Sequence, residues 1–66
     1  MNFYYDEWEQ FVKYCGFTDI EQEIVKYLRR GWYEVDIAAE LNMSHSTITR
    51  RKKKIKDKIM RYIERS

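Results

Sequence analysis

No proline interrupts this chain, and its only two glycines stand at positions 16 and 31. So few breaks favour helices punctuated at those two points over a loop-rich or all-β fold. Between and beyond the glycines, apolar residues recur at helical spacing. In the first segment Tyr4, Trp8, Phe11, Val12 and Cys15 share a side, and Gly16 follows where a helix end wants a left-handed residue.

The next helix is announced by Thr18 with Glu21 three residues on, a capping box in which the hydroxyl takes one orphan N–H and the carboxylate reaches back. Phe17 stands at the staple position before the cap. Ile20, Ile24, Tyr27 and Leu28 form the inward stripe with Val25 beside it, and Arg29 and Arg30 suit the C-terminal dipole before Gly31. A short run from about Glu34 to Leu41 carries Val35, Ile37, Ala38 and Leu41, and needs packing to persist. Asn42 tolerates the left-handed turn that follows, and Ser44 can cap a last helix. That helix runs unbroken from His45 to about Arg65, roughly 31 Å. The expected architecture is all-α: one four-helix helix-turn-helix domain over 1–66, with an extra aromatic N-terminal helix (1–16), a helix-turn-helix unit (17–66) and a long C-terminal recognition helix. An apolar share of 44% supplies a core, although 66 residues bury little surface and a partner subunit would help.

Charge is divided sharply along the chain. From His45 to Ser66 nine Lys or Arg face two acids, a net of +7; the first forty-four residues hold four bases and nine acids, a net of −5. An acidic body with a basic arm implies a polyanionic partner.

Residues 34–53 have the layout of a helix-turn-helix. Ala38 is small where the second helix must cross closely, and Ile37, Leu41, Met43 and Ile48 set the angle between the helices. The first turns of the last helix are then free to enter the major groove. Phe17-Thr18-x-x-Glu21-x-Glu23-Ile24-Val25, Gly31, Asp36-Ile37-Ala38-x-x-Leu41-x-Met43-Ser44-x-x-Thr47-Ile48 and Ile55-x-x-Lys58-Ile59 together resemble the LuxR/GerE-type DNA-binding domain. The layout is similar also to region 4 of bacterial sigma factors. The likeness covers about residues 17–62 and implies a four-helix, DNA-binding and often dimeric protein. Three positions depart from it: Ile20 replaces a polar or basic residue, Tyr33 the Ser or Thr that commonly caps the third helix, and Asp36 the more usual Glu.

With Ile48 inward and about 100° per residue, Ser46, Arg50, Lys53 and Asp57 point outward, flanked by Thr49 and Lys54. Base readout is therefore expected from His45, Ser46, Thr49, Arg50 and Lys53, with Arg50 able to pair bidentately with guanine. Thr47, Arg51, Lys52, Lys54 and Lys56 are expected at phosphates. The aromatic residues Phe3, Tyr4, Tyr5, Trp8, Phe11 and Tyr14 occur on more than one side of the first helix, an excess for so small a core. Either the first helix packs over the end of the last, covering Ile59, Tyr62 and Ile63, or, as the excess favours, Tyr4, Tyr5, Trp8 and Phe11 with Ile59, Tyr62 and Ile63 make a homodimer or partner surface.

Other chemistries find little support. A single His45 and a single Cys15 make neither a zinc site nor a catalytic pair, and Cys15 reads as a small buried hydrophobe. Asp6, Glu7 and Glu9 read as dipole partners, and they break the apolar run that a signal peptide would need. The expectation is a cytoplasmic, non-enzymatic regulator without cofactor or membrane segment, binding double-stranded DNA as a dimer on an inverted repeat. The alternatives are a region 4-like module acting on RNA polymerase or a sigma factor, and a small protein that sequesters a host regulator.

Overall fold

A computed structural model describes residues 3–65, and its elements are four helices: α1 (Tyr5–Tyr14), α2 (Asp19–Leu28), α3 (Glu34–Glu40) and α4 (His45–Arg65). Each end has a local cause. Gly16 and Gly31 take positive φ (69° and 83°), and among the described residues Asn42 is the non-glycine residue that does so (φ 55°). After α2 the Gly31 amide donates to Leu28 O and the Trp32 amide to Tyr27 O. After α3 the Asn42 amide donates to Ala39 O and the Met43 amide to Ala38 O at 2.8 Å. Both are the paired bonds of a Schellman closure, which satisfies carbonyls that a helix end would otherwise leave open.

Starts are equally local. The Thr18 amide donates to Glu21 Oε1 at 2.8 Å, and the Glu21 amide returns to Thr18 Oγ1 at 3.3 Å. At α4 the Thr47 amide donates to Ser44 Oγ at 3.2 Å. Tyr33 occupies the corresponding position of α3 without a side-chain cap.

The long α4 is the spine against which α1, α2 and α3 all pack. Its Ile48, Ile55 and Ile59 are buried, and they meet Ile24, Val25 and Leu28 of α2 with Ile37 and Ala38 of α3. Full burial of each of these isoleucine, valine and leucine side chains contributes about 2 kcal/mol. At seven residues α3 is too short to persist alone. Burial of Ile37 and Ala38 is what holds it beside α4.

α1 covers the far end of the spine. Phe3 meets Trp8 and Phe11 edge-on with ring centres 5.3 and 4.8 Å apart, and Phe11 meets Tyr62 of α4 at 5.9 Å. Tyr14 lies parallel to Tyr62 with ring centres 6.2 Å apart. Trp8, Phe11 and Ile59 are at most 3% exposed. Of the expected partner surface these three therefore belong to the core, and Tyr62 is half-buried against two α1 rings. Tyr4, Tyr5 and Ile63 do lie at the surface. Phe3, ahead of α1, packs onto the inward rings, whereas Tyr4, Tyr5 and Tyr14 account for the aromatics on the other sides and stay exposed.

Candidate nucleic-acid interface

The first three turns of α4 carry the charged surface, and the corner at residues 41–44 brings them beside α3. Ser44 Oγ lies 2.7 Å from Thr47 Oγ1 and 3.2 Å from Ser46 Oγ, so a small hydroxyl cluster opens the helix. Thr47 is half-buried and its hydroxyl is turned into this cap.

His45, Ser46, Arg50 and Lys53 are exposed, as helical periodicity requires once Ile48 is inward. Lys54 and Lys56 are exposed beside them, and Arg51 is half-buried. None of Arg50, Arg51, Lys53, Lys54 and Lys56 makes an ion pair among the described residues. Asp57 continues the outward stripe after Lys53, and an acid there ends the uninterrupted cationic surface.

Two expected contact residues are instead tied to α3. Glu34, in its first turn, accepts from the Thr49 hydroxyl at 2.8 Å on Oε1 and from Lys52 Nζ at 3.3 Å on Oε2. Thr49 Oγ1 also lies 3.1 Å from His45 O, and one hydroxyl proton serves one acceptor at a time. Thr49 thus has its proton engaged within the fold, while the residue is exposed and its hydroxyl oxygen keeps its capacity to accept. Lys52 is half-buried on the inward side between Ile48 and Ile55, and its charge is met by Glu34 rather than offered to a phosphate. The Thr49 hydrogen bond holds the Glu34 carboxyl below its ordinary pKa, against burial and with help from Lys52.

Nothing in the sequence singles out Glu34. An acid in a helix's first turn reads as a dipole partner, and its second role appears only when α3 and α4 meet. Lys58 is likewise removed from the basic arm. Its ammonium donates to Glu21 and, at 3.2 Å, to Gly16 O.

Among the described residues no group of three His, Cys, Asp or Glu could hold a metal ion. No helix among them is long and apolar enough to cross a membrane. Burial pushes the Cys15 thiol above its ordinary pKa, with Lys58 opposing, so it is a poor nucleophile. No known protein family, curated protein or solved structure gives a match to this chain.

Proposed function

We propose that this protein is a sequence-specific double-stranded DNA-binding transcriptional regulator of the LuxR/GerE kind. In this reading α3 and α4 are a helix-turn-helix, and the start of α4 enters the major groove. One observation carries it: the exposed side of α4's first three turns presents Arg50, Lys53, Lys54 and Lys56 without ion-pair partners, while the inward bases Lys52 and Lys58 are neutralised by Glu34 and Glu21. Charge left open along the exposed side, beside a tight corner, suits a polyanion docking there.

Base readout is assigned to His45, Ser46, Arg50 and Lys53, and positioning on phosphates to Arg51, Lys54 and Lys56. Thr49 and Lys52 support from behind. A homodimer on an inverted repeat would set two such helices about one helical turn apart.

Selection of bound sequences from random duplexes tests the reading. Recovery of a defined site, with Arg50→Ala weakening it about 10- to 100-fold, is the expected result. Binding without sequence preference, or unchanged by Arg50→Ala and Lys53→Ala, would overturn it.

A second reading, a region 4-like module docked on RNA polymerase or a sigma factor, is favoured by the exposure of Tyr4 and Tyr5 at the start of α1. It requires copurifying polymerase and negligible DNA binding in its absence.

A further inference from the structure

The second charged feature lies on α3, on the side turned away from Thr49 and Lys52. Gly31, Trp32, Tyr33, Asp36, Ala39 and Glu40 line a shallow groove. Its walls are rings and its charges are two carboxylates, and no lysine or arginine lines it.

Tyr33 is an odd choice for its position. A Ser, Thr, Asp or Asn at a helix start contributes about 1 kcal/mol through its cap, and Tyr33 makes no such bond. Its ring instead stands 76% exposed. Trp32 is fixed where it is: its amide donates to Tyr27 O at 3.1 Å and its ring lies 4.5 Å from the Tyr27 ring, yet it remains 37% exposed. The Gly31 turn thus delivers one rigid ring and one open ring to the same groove.

Asp36 and Glu40 follow Tyr33 by three and seven residues, so all three share a side of α3. The small Ala39 keeps the floor low. Neither carboxylate is in an ion pair among the described residues, although Glu9, Glu21, Glu23 and Glu34 all are. Two unpaired anions between exposed aromatic faces suit a planar, weakly hydrated cation that stacks and pairs at once. Among side chains that is arginine.

We propose that this groove is a docking site for an arginine-bearing segment of a second, different protein. Asp36 lies about 200° round α3 from Glu34, so an occupant leaves the exposed cations of α4 uncovered. The inference stands apart from the DNA reading, since charge and shape in the groove do not depend on what α4 binds.

The test uses the isotope-labelled full chain and follows backbone amide and indole resonances on adding N-acetyl-arginine amide. N-acetyl-norleucine amide, spermidine and sodium chloride at matched ionic strength serve as comparisons. Saturable shifts confined to Gly31, Trp32, Tyr33, Asp36 and Glu40, and larger for arginine than for any comparison, are expected. The exposed double variant Asp36→Asn/Glu40→Gln, which leaves the core untouched, should weaken that binding about tenfold or more. Equal shifts with norleucine amide or spermidine, or unchanged binding by the double variant, would overturn the proposal. So would a chain whose self-association is abolished by that variant, because the occupant would then be a second copy.

Discussion

Lys58 of α4 donates to the Glu21 carboxylate of α2 at 2.5 Å, so the residue that caps one helix also anchors another 37 positions away. Glu21 is almost fully buried, and the same Oε1 atom accepts from the Thr18 amide. Burial alone would push the Glu21 carboxyl up. The Lys58 and Thr18 hydrogen bonds and the ammonium charge outweigh it and hold the pKa below the ordinary 4.5.

Stability should therefore depend on pH in a definite direction. A carboxyl whose folded pKa is depressed stabilises the fold fully above its unfolded value, and that share is lost as pH falls below 4.5 and through the folded value. Lys58→Met leaves the buried carboxylate without its cation and should cost about 2 kcal/mol at neutral pH. In a chain this small that lowers the melting midpoint by roughly 10 °C. The deficit should shrink in acid as Glu21 is protonated. Thermal unfolding of both proteins from pH 7 to pH 3 checks it, and a constant deficit would deny the pair this role.

Glu34 should limit non-specific DNA binding. In Glu34→Gln, Lys52 loses its carboxylate partner and becomes available to a phosphate. The slope of log affinity against log salt should then steepen by about 0.9. Discrimination between the selected site and random duplex should fall. Made in a Lys52→Met background, the same substitution should leave the slope unchanged. An equal steepening in both backgrounds would mean that loss of the acid's charge, rather than release of Lys52, is responsible.

Asn42 is held at φ 55° by the closure of α3. Asn42→Gly should be tolerated within about 0.5 kcal/mol, whereas Asn42→Val should cost about 1–2 kcal/mol. Because this corner sets α4 against α3, the valine variant should also lose affinity for the selected site. Chemical denaturation and site binding measured on the same samples decide it.

Trp8 and Tyr4 should part company. Trp8→Ala opens a cavity among Phe3, Phe11 and the α4 isoleucines and should cost about 3–5 kcal/mol. Tyr4→Ala, at an exposed ring, should change stability by no more than about 0.5 kcal/mol. If a homodimer forms through the start of α1, only the tyrosine variant dissociates it while the monomer stays folded. Sedimentation alongside thermal melts separates the two effects.

Most helix limits were legible because their causes lie within five residues of one another; the first helix, expected over 1–16, begins instead at Tyr5, where the extended Tyr4 donates its amide to Glu7 Oε1. Thr18 with Glu21, Ser44 with Thr47, and the left-handed Gly16, Gly31 and Asn42 act through bonds to near neighbours. Periodicity from Ile48 likewise suffices for the exposure of Ser46, Arg50 and Lys53, since a helix turns by a constant angle. Helical spacing also put Trp8 and Phe11 on one side of α1; the packing of half-buried Phe3 onto them was not legible, since it depends on the chain before the helix, outside any periodic pattern.

The last helix shows where the two kinds of information divide. By itself the sequence determines that the region after Ser44 is a helix, strongly basic, with isoleucines at 48, 55 and 59 on one side. Which of its bases remain available was decided only by packing. Glu34 and Glu21 lie 18 and 37 residues from the lysines they meet. Pairing across such distances follows from where α3 and α2 dock on the spine. A count of charges along the chain weighs Lys52 and Lys53 equally; the fold turns one inward to a carboxylate and leaves the other in water.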